Sequence, residues 1–400
     1  MATYDENTDA TTQASVPVGE RVPRFGHATA AVAIVSIFVV STVTWWLLGD
    51  PKWSVVGAKA DNAADGARKS AIVSCLLFWT IFGHIFTGFT FANYPFSILR
   101  QPLAGVAQVV VNLAIGIAGN LLFTRGVGNW DPTFSTKAAG GAGYTAAAFI
   151  VLIGFYAYAF ASASLGGYPF ESVTAPVAGV AQWFLAAFLT VAGVVTLVYP
   201  NFSSALAAHA PVTLPTAAGW VYSSIVIVIV AAMQWQNWPW ANIANRHVRS
   251  FTALIVTLGG GYVLFLAFKG LLHGLLPDFV KDTPAFPYGL EAANLGVCFS
   301  LWSLIFGLVV PPSKLKSVAG ARGLRIVIVA LLSVVTYVVF MRFFATRVLH
   351  FPATKESYGG NPLLWMDWTI LFVLWYAIAF GGHFGTRRLP QKSRPSLATN

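Results

Sequence analysis

His84, Gln108, Asn112, Tyr156, Gln182 and Gln234 all stand inside long apolar runs of this sequence. A polar group in hydrocarbon must find a hydrogen-bond partner or face a solute, because leaving it unpaired costs several kcal/mol. Amides and hydroxyls bind neutral or weakly polar solutes through directional hydrogen bonds, and an imidazole adds a group that exchanges protons near neutral pH. The alternative is structural. Amides join one membrane helix to the next at about 0.6 kcal/mol per bond, and a lone neutral imidazole bonds to a backbone or hydroxyl group on another helix. Gly260, at the centre of Gly259-Gly260-Gly261, marks a place where a helix breaks or where another backbone or a solute comes close. Packing against a bulky ring is its alternative. These seven residues are the candidate solute-binding set.

Other chemistry lacks the residues to perform it. The central third of every apolar run is free of Asp and Glu, with Glu291 and Asp367 falling at run ends and Glu171 in a turn. Carboxylate relays of the kind found in ion-coupled pumps are therefore not expected. No HExxH, GxSxG or Walker pattern occurs, so no catalytic residues are assigned and no enzyme activity is expected. Neither is a metal or a cofactor: a single His cannot hold a metal, and a heme between His84 and His383 would need residues whose depths differ by about half a membrane. Cys75 and Cys298 lie in apolar runs, where free Cys behaves as a small hydrophobe.

Composition dictates the elements that must position these groups. Of 400 residues, 56% are hydrophobic and only 10% charged, with a mean hydropathy of +0.68; a soluble domain carries roughly 25% charged residues. On a ruler of about 20 helical residues per bilayer, spans are expected at 28–48, 71–93, 102–123, 144–164, 174–198, 218–236, 250–276, 292–311, 321–345 and 363–384. The fold class is all-α, a polytopic integral membrane protein of about ten transmembrane helices. Segments alternating over ten residues, the mark of an outer-membrane barrel, do not occur. Residues 1–27 read as a disordered cytoplasmic tail, 28–386 as one transmembrane domain, and 387–400 as a basic cytoplasmic tail lying against anionic headgroups. The net charge of +10 sits in short clusters between spans, without any nucleic-acid-binding motif, so these residues read as topology determinants rather than contacts to nucleic acid.

An internal repeat organises the bundle. Tyr94-Pro95-Phe96, Pro102 and Ala104-Gly105-Val106-Ala107-Gln108 recur 74 residues later as Tyr168-Pro169-Phe170, Pro176 and Ala178-Gly179-Val180-Ala181-Gln182, nine identities in a 15-residue window. A degraded third copy is Asn237-Trp238-Pro239-Trp240, and Pro311-Pro312-Ser313-Lys314 reads as a fourth. Each copy lies between two spans, so the unit is a helical hairpin in parallel repetition, near 71–135, 144–204, 217–276 and 292–347. The first and last spans would pair as a fifth, circularly permuted hairpin. Pro ends the first helix of each unit, and the flanking aromatics suit the headgroup level.

The basic clusters at Arg246, Arg249, 314–325 and the C-terminus place both termini in the cytoplasm, with the cytoplasmic membrane as location. The expected function is a permease or facilitator for a small neutral or weakly polar solute, the bilayer and that solute being its partners. A structural or anchoring subunit of a larger assembly, with partner subunits or further copies of itself, is the second reading. A membrane enzyme acting on lipid or quinone, using the outer-loop residues Asp50, Asp61, Asp65, Arg68 and Lys69, is the third.

Overall fold

The computed structural model describes residues 26–56, 59–170, 172–173, 175–203, 205–276, 286–311, 318–351 and 362–381. The two tails, His383 and the 312–314 part of the fourth turn lie outside the described residues. The main helices are α1 (His27–Leu48), α2 (Ala63–His84), α3 (Leu103–Leu121), α4 (Ala142–Ala159), α5 (Ala175–Gly193), α6 (Leu214–Gln234), α7 (Arg246–Leu275), α8 (Tyr288–Leu308), α9 (Val318–Val339) and α10 (Pro362–Leu374). Among the described residues there is no strand. Nine helices among the described residues are long and apolar enough to cross a membrane, and Leu364–Ala379 is a shorter apolar helix. The chain is a multi-pass helical membrane protein.

Several helices extend beyond their α-helical part as π-helical turns, as in Ile85–Thr90, Phe160–Ser164 and Trp375–Ala379. α2 starts eight residues before the expected 71. Its first turns are polar, and Asn62 caps them by accepting from the Asp65 N–H at 3.0 Å, a signal that a hydropathy ruler does not register.

Burial divides the helices into two sets. In the spans containing α2, α4, α6 and α8, 61 to 78% of the most apolar window is buried, against 17 to 28% in those containing α1, α3, α5, α7 and α9. The even-numbered helices form a closed inner ring in which α2 touches α4, α4 touches α6, α6 touches α8, α8 touches α10 and α10 returns to α2. Each odd helix packs outside the ring, mainly on the inner helix next to it in the chain and α1 on α10, while α7 also packs on α8 and α3 on the end of α10. Outer helices turn residues such as Val35, Phe188, Val263 and Leu331 outward, where hydrocarbon is their natural solvent.

A side-chain hydrogen bond pins every outer helix to its inner partner. Gln108 Nε2 donates to Thr87 Oγ1 at 3.0 Å, Tyr158 Oη to the Trp183 carbonyl at 3.0 Å, and Trp220 Nε1 to the Leu258 carbonyl at 2.9 Å. Trp302 Nε1 donates to Thr336 Oγ1 at 2.9 Å. Trp368 Nε1 donates to Thr44 Oγ1 at 3.0 Å, joining the last helix to the first.

The turns leaving the inner helices share a backbone pattern. An N–H bonds to the carbonyl five residues earlier at Phe91, Leu165, Trp235, Val310 and Phe380. Positive φ follows at Ala92 and Asn93, Gly166 and Gly167, and Gln236 and Asn237. Glycine meets that backbone requirement without strain in the second turn. The Tyr94-Pro95, Tyr168-Pro169 and Trp238-Pro239 bonds are cis.

At the opposite end, where the inner helices begin, two carboxylates act as ties. Asp131 accepts from Tyr199 Oη at 2.8 Å and from the Thr133 N–H at 2.9 Å. Partial burial pushes its carboxyl up, but the bonds from Thr133 and Tyr199 outweigh that and hold it below the usual range. Asp50, read from the sequence as part of a solvated loop, is fully buried instead. Its Oδ2 lies 2.7 Å from His350 Nδ1, and its Oδ1 accepts from the Lys52 and Trp53 N–H groups. That cluster closes the ring by fastening the end of α1 to the segment between α9 and α10.

Candidate functional site

The inner ring encloses a cavity of about 440 Å³, lined by all five of its helices. Its volume comes from small residues: Ala67, Ser70, Ala71 and Ser74 on α2, Ala148 on α4, Ala218 on α6 and Ala293 on α8 face it. Five helices packed around such short side chains leave an axial space that Leu or Phe would fill. Along α2 the lining runs from Ala67 to Ile81, about 21 Å at 1.5 Å per residue. Residues at the beginnings of the inner helices, including Ala67, Leu214, Leu290 and Leu364, line one end, and Ile81, Phe155, Ile229 and Leu304 line the other.

Polar groups are few. Ser70, Ser74, Thr145, Tyr222, Ser300 and Asp367 belong to the wall, and among the described residues no Lys, Arg or His does. Tyr222 Oη donates to Asp367 Oδ1 at 2.9 Å. Helices α6 and α10 are not neighbours in the ring, since α8 stands between them, so this bond spans the lumen. Gly296 on α8 makes it sterically feasible: a Cβ there would lie 3.2 Å from Tyr222 Cδ1, tighter than ordinary contact. Asp367 Oδ2 and Ser300 Oγ are buried without a hydrogen-bond partner. Such groups are costly in an apolar wall unless a ligand satisfies them.

None of the seven residues singled out from sequence lines this cavity. Gln108 bonds to Thr87 Oγ1 and to Asn93 Oδ1, both at 3.0 Å, and Asn112 Oδ1 lies 3.1 Å from the same threonine hydroxyl. Those four side chains form one network within the α2–α3 hairpin. Gln182 Nε2 donates to the Ala161 carbonyl in the next hairpin, and Gln234 Nε2 to the Ser303 carbonyl at 3.0 Å. Tyr156 Oη lies 2.8 Å from Thr257 Oγ1. Gly260 has open space where a Cβ would stand, and α7 runs unbroken through it. His84 is fully buried, with no partner for either ring nitrogen, one turn beyond the last α2 residue on the cavity wall. The expected convergence of His84, Gln108, Asn112 and Gln182 on one lumen is therefore corrected. α3, α5 and α7 are outer helices: Gln108, Asn112 and Gln182 bond within their own hairpins, and Thr257 of α7 meets Tyr156 of α4.

The placement of the acids changes as well. Glu291 and Asp367 are 2% and 5% exposed, so neither sits in water at a span end. Glu291 Oε2 accepts from Tyr337 Oη at 2.7 Å and thereby ties α8 to α9. Asp367 belongs to the lumen. Its signal in the sequence is an acid among Leu364, Trp365, Met366, Trp368 and Ile370, where an ionisable group marks a functional position. Among the described residues no group of three His, Cys, Asp or Glu is placed to hold a metal ion.

Replacing Gln108 by Leu removes two buried hydrogen bonds at a site away from the cavity. The expected result is a stability loss of about 1–2 kcal/mol, measured by thermal unfolding; unchanged stability would mean that the two bonds contribute nothing to holding α3 on α2.

No family model matches the sequence, and neither a curated protein nor a solved structure matches the chain.

Proposed function

We propose that this protein is a permease or facilitator of the cytoplasmic membrane that moves a small solute along the lumen of its inner helix ring. The observation that carries this reading is the cavity itself, axial, enclosed by all five inner helices and holding unpartnered polar atoms in a largely apolar wall. A structural scaffold has no need of such a space, which forfeits packing contacts along its whole length. The amide-lined path expected from sequence would suit neutral or weakly polar solutes. With hydroxyls and one carboxylate in the lumen instead, the carboxylate becomes the group that any solute must satisfy.

The reading includes ten membrane passes built from five parallel hairpins in tandem, the fifth made of the last helix and the first. Its support is the recurrent backbone bond at the five turns and the side-chain hydrogen bond that joins each outer helix to its inner partner. With both termini cytoplasmic, the aromatic-Pro turns lie at the cytoplasmic face and the beginnings of the inner helices at the other.

Flux into proteoliposomes tests the proposal. A panel of small amines, alcohols, amides and carboxylates should contain at least one solute whose uptake exceeds that of protein-free liposomes. Correctly folded protein that moves none of them would overturn the permease reading.

A further inference from the structure

We propose that the lumen binds an organic ammonium, a single positive charge on an apolar body, with Asp367 as its counter-ion. This rests on the lumen being the solute site and goes on to name the solute class. The first observation is the surroundings of the Asp367 carboxyl group. Asp367 is 5% exposed on the cavity wall, its Oδ1 accepts a hydrogen bond from the Tyr222 hydroxyl at 2.9 Å, and its Oδ2 has no partner. One hydrogen bond from a phenol does not balance a buried negative charge, which costs several kcal/mol unless a cation compensates it or the carboxyl holds a proton; a bound cation is the partner that lets it stay ionised. Among the described residues the cavity wall supplies no such cation, since none of those lining it is Lys, Arg or His.

The rest of the wall fits the remainder of such a ligand. Phe78 on α2 and Phe149 and Phe155 on α4 present aromatic rings to the lumen, and the face of a ring attracts an ammonium. Ala148, Ile225, Ile229 and Leu304 offer only hydrocarbon, matched to an apolar body. Ser300 Oγ, buried and unpartnered, is a second acceptor for an ammonium N–H. The volume of about 440 Å³ admits a molecule the size of an arylalkylamine, within the range of small-ligand pockets, about 300–1,000 Å³. An anion would meet the Asp367 charge at close range and be repelled. A neutral solute would leave that charge uncompensated.

Titration calorimetry on the full chain in lipid nanodiscs, with 2-phenylethylammonium chloride and the neutral 2-phenylethanol as probes, tests the assignment. The ammonium should bind about tenfold or more tightly than the alcohol, the scale set by a buried charge pair. Asp367→Asn keeps the side-chain shape and removes the charge, so it should erase the preference while alcohol binding persists. Equal binding of the two probes by the wild-type protein would overturn the proposal, and so would a preference that survives in D367N; either result would leave Asp367 as the neutral, protonated partner of Tyr222. The wild-type comparison needs no variant, so a D367N protein that fails to fold does not blunt the test. Ammonium binding without flux would count against the permease reading alone. Flux of a neutral solute without ammonium preference would count against this inference alone.

Discussion

A Ser74→Cys protein should take up solute normally and lose uptake to the protein-free background after treatment with a membrane-impermeant methanethiosulfonate. Ser74 lies on the cavity wall of α2, between Ser70 at the end where the inner helices begin and Ile81 at the other. Cysteine is close to serine in size, and the native hydroxyl bonds only to the Ser70 carbonyl of its own helix, at 2.8 Å, so folding should survive the exchange. The reagent adds bulk inside the lumen, where small side chains supply the free volume. Native thiols do not confuse the result, because Cys75 and Cys298 are fully buried. Trp130→Cys is the control. That residue is 89% exposed in the segment joining α3 to α4, so labelling there should be complete and uptake untouched. Loss should follow reagent added outside the cell, since the inner helices begin at that face in the proposed orientation. Ser74→Cys labelled to completion with full uptake would remove the lumen from the solute path.

Much of this architecture is legible in the sequence because lipid imposes a simple rule, and much of the site is not because the rule says nothing about neighbours. A length of apolar sequence that crosses hydrocarbon must be helical, and nine of the expected spans coincide closely with helices of spanning length. Turn positions are legible for a related reason. The Tyr94, Tyr168 and Trp238 turns each begin with backbone that ends a helix, and Pro and Gly make that visible residue by residue.

The lumen is not visible in this way. In a membrane, the outer helices are as apolar as the inner ones, so hydropathy alone does not separate α3 from α4. Gln108 and Gln182 look like a polar lining only while their helices are assumed to face the axis. The more informative pattern is the small residues Ala67, Ser70, Ala71 and Ser74 at helical spacing on α2. Small side chains also favour close helix packing, so on sequence alone that stripe reads equally as a tight interface. A hydropathy ruler, accurate to a few residues, puts Asp367 at a span end. That error decides whether a carboxylate stands in water or in a cavity wall, and only the fold resolves it.

The glycine run on α7 separates these two kinds of information within three residues. At Gly261 a Cβ would stand 2.1 Å from Ser224 Oγ and 2.7 Å from Ser224 Cα. A side-chain oxygen can rotate away, but Cα belongs to α6, the inner partner of α7, and moves only with its helix. Gly261→Val should therefore destabilise the protein by about 3 kcal/mol or more. One residue earlier, Gly260 has nothing within 4 Å of its Cβ position. Gly260→Ala should instead be neutral or stabilising by about 0.5–1 kcal/mol, because alanine is the better helix former and no neighbour resists it. Reversible unfolding in mixed micelles measures both variants against wild type. The pair gives opposite signs only if α7 turns Gly261 to α6 and Gly260 away from it. Comparable losses at both positions would mean that the whole run packs against a neighbour, and comparable tolerance would mean that α6 and α7 do not meet at Ser224.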